Sequence, residues 1–237
     1  MNDNARSLVA EFIGTFALIF IGCGSVIMTS DALSPDGGVN AGLVAVALAH
    51  GLTIAVVVSV IGHVSGGHIN PAVTAGLWIT GQIETIKAGT YWVAQLLGAV
   101  VAALALQLIM PETLTDAVGL GTPAINTGAG MGVGAGVVLE AILTFFLVFA
   151  VYGTAVDPQG AFNKVAGFSI GLVVTFDILA GGPMTGAAMN PARWFGPALV
   201  SGTWTDSWVY IVGPLAGGIL AGLAGQMVFA TKKPSAA

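Results

Sequence analysis

Apolar residues do not alternate with polar ones along this chain. They run on in unbroken stretches, each close to the roughly 20 residues a helix needs to cross a bilayer. Six such stretches stand out, at about 8–28, 40–61, 88–110, 133–156, 164–179 and 208–230. Short polar connections separate them at 29–39, 111–132 and 157–163. Continuous rather than alternating apolar runs argue against a strand barrel. The pattern predicts an all-α integral membrane fold with six transmembrane helices.

Two regions break the pattern. Residues 62–79 and 180–200 are Gly-rich, and each contains Asn-Pro-Ala followed by an apolar run too short to span. The tripeptides are Asn70-Pro71-Ala72 and Asn190-Pro191-Ala192. Asn is a preferred helix N-cap, and Pro is tolerated at the first helical position, where its missing N–H costs nothing. Each region therefore predicts a re-entrant half-helix. Broken backbone at membrane depth is tolerated only where it is buried in protein or lines a water-filled cavity.

The two halves of the chain repeat. VAEFIGTFALIF at 9–20 matches VLEAILTFFLVF at 138–149, pairing Glu11 with Glu140 and Thr15 with Thr144. SGGHINPAV at 65–73 matches TGAAMNPAR at 185–193, and AQLLGA at 94–99 matches GPLAGG at 213–218. The expected organisation is one membrane channel domain over 1–237, with one repeat at about 8–110 and the other at about 133–230. Three spans per repeat is an odd number, so the second copy enters from the opposite face. That is the inverted-repeat plan, with the site at the midplane on broken helices.

Composition agrees with a membrane protein. The chain is 56% hydrophobic and 7% charged, against about 25% charged in soluble domains. Its 35 glycines suit close helix packing in lipid. The single cysteine, Cys23, excludes an internal disulfide or a cysteine metal cluster, and it reads as packing. No basic patch points to nucleic acid. With the N-terminus in the cytoplasm, Arg6, Lys87, Lys164, Lys232 and Lys233 all fall inside, and the outer loops hold only acidic residues. By the positive-inside rule both termini are cytoplasmic. No cleavable signal is evident at the N-terminus, and the short tails suggest a microbial plasma membrane.

Two half-helices meeting N-terminus to N-terminus place two partial positive charges at the bilayer centre. Asn70 and Asn190 cap those ends and offer side-chain N–H groups to a passing acceptor. Such a site repels cations and forces a chain of waters to reorient, blocking proton hopping. Arg193 directly follows the second tripeptide; an arginine at that depth needs water or a partner, and it reads as a donor at a constriction. Glu11 and Glu140 read as braces for the irregular backbone before each half-helix, whose free N–H groups need acceptors. His50, a lone histidine mid-span, reads by itself as a satisfied core residue. His63 and His68 flank the first broken region, and His68 is a further pore-lining candidate. No third ligand accompanies them, so no metal site is expected. Asp177 is expected to cap or hydrogen-bond the second broken region. No catalytic motif is present, so no enzyme activity is expected.

These residues resemble the aquaporin (major intrinsic protein) family. AEFIGTF, SGGHINPAVT, AQLLGA, GAAMNPAR and VGPLAGG, in this order, carry the resemblance over nearly the whole chain. It implies a right-handed six-helix bundle with two re-entrant half-helices, one pore per subunit, a homotetramer in membrane lipid, and passive flow of water or small neutral solutes without a cofactor. The family's constriction positions fall on His50, Ile178, Ala187 and Arg193. That set, with ILAGG at 178–182, looks like the plant tonoplast branch. Ile178, where strict water channels have His, and the small Ala187 imply a wider and less polar filter. Trp194 and Ala198 stand where the glycerol branch has Asp and Lys. Ile211 replaces an aromatic frequent in water channels, which points away from strict water selectivity.

The expected function is a passive water channel that also admits ammonia, hydrogen peroxide or urea and excludes protons and ions. The alternatives are a glycerol or small-solute facilitator, a proton-coupled transporter using Glu11 and Glu140, and a purely structural membrane protein.

Overall fold

The structure is a computed structural model that describes residues 2–30, 33, 42–160 and 163–229. Among these, six helices are long and apolar enough to cross a membrane: α1 (Asp3–Met28), α2 (Gly42–Ser65), α4 (Thr85–Ile109), the run Val133–Val156, α7 (Ala166–Thr185) and α9 (Val209–Val228). The run Val133–Val156 is an α-helix, α6 (Val133–Val151), that loosens into a π-helical turn at Tyr152–Val156. A short helix α5 (Glu112–Ala117) and a tight turn at Gly119–Gly121 follow α4. No strand occurs among the described residues.

The two Asn-Pro-Ala sequences start short helices, α3 (Pro71–Ile79) and α8 (Pro191–Ser201). Each has Pro in its first turn, and its Asn is an extended N-cap whose side-chain oxygen accepts from Ala72 N at 2.8 Å or Ala192 N at 3.0 Å. Asn190 Oδ1 also accepts from Arg193 N at 3.3 Å. At 1.5 Å per residue neither helix reaches across a bilayer.

Within each half the first span packs on its neighbours: α1 on α2 and α4, α6 on α7 and α9. The α2–α7 contact joins the halves. The short helices cross over, α3 docking chiefly on α9 and α8 on α4. Glycine makes the α3–α9 approach possible. A Cβ on Gly76, Gly218 or Gly222 would fall under 3.0 Å from a backbone oxygen of the facing helix. In lipid this close van der Waals packing replaces the hydrophobic drive that holds helices together in water.

Several boundaries differ from the expected ones. Helix α1 begins at Asp3 rather than near residue 8, because Asn2 caps it by accepting from Ala5 N. Helix α2 continues to Ser65 instead of 61, and α7 continues to Thr185 instead of 179, through Pro183. The last carbonyls of a helix need partners, and both extended ends find them. Tyr91 Oη donates to Ser65 O at 2.8 Å, and Ser7 Oγ donates to Val64 O at 3.0 Å. At α7, Tyr210 Oη donates to Thr185 O at 2.9 Å, while Asn126 supplies its backbone N–H to Met184 O and its side chain to Pro183 O. These partners come from distant parts of the chain. The start of the second apolar stretch at 40, the end of the sixth at 230, and Lys232 and Lys233 lie outside the described residues.

Candidate pore and its filter

The two carboxylates brace the loops that lead into the half-helices. Glu11 is fully buried and accepts four hydrogen bonds. Ser65 Oγ and His68 N donate to Oε1 at 2.7 and 2.9 Å; Ile69 N and Gln95 Nε2 donate to Oε2 at 2.6 and 2.8 Å. Glu140, equally buried, accepts from Thr185 Oγ1 and Ala188 N on Oε1 at 2.7 and 2.9 Å, and from Met189 N on Oε2 at 2.8 Å. Backbone donors that lipid cannot satisfy thus meet a charged acceptor, and the buried charge meets three or four donors. Ser65 and Thr185 play matched parts, each hydroxyl also accepting from the N–H two residues on, Gly67 or Ala187.

The loop backbone needs that support. Ile69, Ala187 and Met189 all have positive φ, at 43°, 43° and 51°. This is a sparsely populated region for residues with a Cβ, and it persists only where the surroundings over-determine it. Ala187 adopts it at the position where the first loop has Gly67.

The half-helix tips are tied to one another. Asn70 Nδ2 donates to Met189 O at 2.9 Å, and Asn190 Nδ2 donates to Ile69 O at 3.0 Å. One N–H of each amide is therefore committed to the opposite loop, and the second is the donor left for a passing molecule. Besides capping their own helices, the two amides lock the tips in register.

Arg193 is buried at the start of α8 and has no carboxylate partner. The one ion pair among the described residues is Arg6 with Asp3. The Arg193 Nε–H donates to His50 Nε2 at 3.1 Å, and an Nη1–H donates to the carbonyl of Gly121 at 2.9 Å. His50 Nε2 must then be the bare nitrogen, so Nδ1 carries the proton and donates to Val46 O at 2.9 Å. Both ring nitrogens are spent on the protein, and the imidazole is neutral. The guanidinium keeps its full charge beside the passage, with its remaining N–H groups free to meet an acceptor there.

These residues surround an interior cavity. Its lining includes the aliphatic side chains Ile54, Val58, Val151 and Val174 and the loop residues Gly67, His68, Asn70 and Asn190. A second, wider vestibule, bounded by the 121–126 loop, meets this cavity at Ile178 and Arg193, which line both. His50 and Ala187 line the inner side of that junction. The structure thus brings His50, Ile178, Ala187 and Arg193 together, and it places His68 further inward. His68 Nδ1 lies 3.0 Å from Thr74 Oγ1, and the ring packs edge-on against Tyr91. His63 is exposed, and no cluster of three His, Cys, Asp or Glu side chains suited to a metal occurs among the described residues.

Other residues sit elsewhere than the sequence suggested. Asp177 is buried at the α7 surface, but its Oδ2 has no partner, and none of the bonds to the second loop comes from it; Glu140 and Tyr210 hold that loop. Trp194 does not reach the passage. It is buried in a separate cluster, stacked on Tyr210 at 5.9 Å and edge-on to Trp204 at 5.5 Å. Ile211 is exposed on the outer wall of α9, in a groove with Trp92 and Trp194, and lines neither the interior cavity nor the vestibule. These faces were ambiguous because a span that is apolar all round carries no periodicity to orient it.

Sequence reasoning missed the tyrosines and the loop carbonyl. Tyr91 and Tyr210 each precede the third repeat match by three residues, so the repeat alignment already paired them. Gln95, the fourth donor to Glu11, has no counterpart, since Pro214 stands opposite it. Gly121 left no sequence signal, because it acts through its backbone.

The family model described as Major intrinsic protein matches residues 1–224. Aquaporin TIP4-4 of Zea mays is 51% identical over 224 residues, covering 94% of this chain and 86% of that protein. Aquaporin TIP2-1 of Arabidopsis thaliana is 46% identical over 225 residues, covering 94% and 87%. Among solved structures, the aquaglyceroporin from Plasmodium falciparum aligns with a TM-score of 0.80 at 26% identity, covering 95% of this chain and 96% of that one. The relatives named TIP are plant proteins, so the expected microbial plasma membrane finds no support in them; what stands is an integral membrane protein.

Proposed function

Because the chain belongs to the major intrinsic protein family, we propose that its central cavity is a passive channel for water. One observation carries the reading: two capped half-helix N-termini abut at the cavity, with an arginine that makes no ion pair beside them. Each tip contributes a partial positive charge, and the guanidinium adds a full one. A cation meets a barrier. A water molecule passing the tips finds donors from Asn70 and Asn190 and turns its oxygen toward them. That orientation breaks the donor-to-acceptor chain along which a proton would hop. The aliphatic lining offers no competing partner, so transit is weakly bound and fast.

We further infer that small neutral solutes pass: ammonia, hydrogen peroxide and urea. Ile178 and Ala187 supply no hydrogen-bonding side chain at the junction, and both His50 nitrogens are engaged, which leaves Arg193 as the main polar contact. The domain is read as two inverted repeats forming one passage per chain, assembled as a homotetramer with both termini cytoplasmic. Trp194 and Ala198, turned away from the cavity, give the glycerol alternative no side-chain support.

The test is stopped-flow light scattering on proteoliposomes. Vesicles holding the protein should shrink faster than empty ones under osmotic shock, with a low activation energy and no proton conductance. Equal rates with and without protein would end this reading. Solute accumulation driven by a pH gradient would establish a coupled transporter instead.

A further inference from the structure

Leu18, Gly22 and Val26 share one face of α1, spaced a turn apart. Leu18 lines the interior cavity and Val26 the vestibule. Between them, at Gly22, the His50 imidazole fills the place where a side chain would project. A Cβ built on Gly22 would fall under 3.0 Å from Nε2, Cδ2 and Cε1 of His50, nearest of all to Nε2. That nitrogen is the acceptor for Arg193 Nε. The next residue, Cys23, lies against the other acceptor: its Sγ is 3.8 Å from Gly121 O, and a Cβ on Gly121 would lie 3.0 Å from Cys23 Cα and Cβ. Two consecutive residues of α1 thus stand behind both groups that hold the guanidinium.

We propose that Gly22 is a specificity-determining positioning residue of the filter: by carrying no side chain it lets His50 lie back against α1 and hold Arg193 to the wall. The inference rests on the reading of the cavity as a water passage. It concerns a residue that touches no permeant. A methyl group at position 22 has α1 behind it and the imidazole in front, so the ring must move toward the lumen. Nε2 then leaves the line of the Arg193 Nε–H bond, and both ring and guanidinium crowd the junction at Ile178. The three atoms nearest that methyl all belong to His50, so the effect should vanish when the imidazole is absent.

The experiment compares wild type, Gly22→Ala, His50→Ala and the double variant in proteoliposomes, with channel number normalised. The displaced ring and guanidinium crowd the junction and raise the barrier to transit, and a tenfold change corresponds to about 1.4 kcal/mol. Water permeability per channel should therefore fall about tenfold in Gly22→Ala, and urea permeability, where wild type shows it, should fall further. The double variant should match His50→Ala in both. Gly22→Ala behaving as wild type, or shifting permeability equally in both backgrounds, overturns the proposal. If Gly22→Ala fails to fold, monodispersity on size-exclusion chromatography becomes the readout. Recovery in the double variant then supports the Gly22–His50 contact, and continued misfolding overturns it. Wild-type vesicles that shrink no faster than empty ones reject the channel reading itself, an outcome distinct from all of these.

Discussion

Arg193 donates its Nε–H to the bare Nε2 of His50 at 3.1 Å, so a neutral acceptor holds the filter's one charge. The choice matters electrostatically. A carboxylate there would cancel the positive field that excludes cations, whereas a neutral imidazole orients the guanidinium and leaves the field in place.

Replacing Arg193 with Val removes that field and most of the polar contact at the junction. Urea permeability relative to water should rise roughly tenfold, the scale expected for losing a charged hydrogen-bonding group, and a proton leak should appear. His50→Ala together with Arg193→Val should widen the filter further. Stopped-flow urea uptake and a pH-dye assay check both; unchanged permeability ratios in both variants would mean that the constriction lies elsewhere.

The two bracing carboxylates should differ in weight. Glu11 accepts four hydrogen bonds and Glu140 three. Substitution by Gln turns one acceptor oxygen into a donor facing other donors, and each buried group left unpaired costs about 1–3 kcal/mol. Both variants should lose thermal stability in detergent, Glu11→Gln more than Glu140→Gln. The opposite order would show that the extra bond from Gln95 contributes nothing.

Tyr91→Phe and Tyr210→Phe each remove one donor to the last carbonyl of a span, Ser65 O or Thr185 O. Each should cost about 1 kcal/mol, and the double variant should show the sum, since distant independent sites add. Thermal unfolding of the three variants tests this, with water permeability per folded channel near that of wild type.

Asn190→Ala deletes an N-cap, worth about 0.5–2 kcal/mol, and also the bond to Ile69 O that ties the half-helix tips. Stability and cation exclusion should therefore decline together. A variant that unfolds earlier yet excludes cations as before would limit the amide to a structural part.

Much of this molecule was legible because the deciding physics is local. Asn is a preferred N-cap and Pro suits the first helical position, so the starts of α3 and α8 follow from the two tripeptides. A helix needs about 20 apolar residues to cross a bilayer, so the spans follow from length. A buried carboxylate requires donors, and the nearest free ones were in the loops beside Glu11 and Glu140. The repeat placed each of these features twice.

The rest waited for the tertiary structure. Helix α7 runs on past 179 because Asn126 and Tyr210, distant in sequence, satisfy its last carbonyls. Trp194, Ile211 and Asp177 lie on apolar elements whose rotation is set by what they pack against, and no hydrophobic period records it. The acceptors of Arg193 were similarly hidden. One is a backbone carbonyl, which any residue type would supply, and the other occupies space left open because Gly22 has no side chain. A one-dimensional chain states which groups need partners; only packing in three dimensions decides which atoms become those partners.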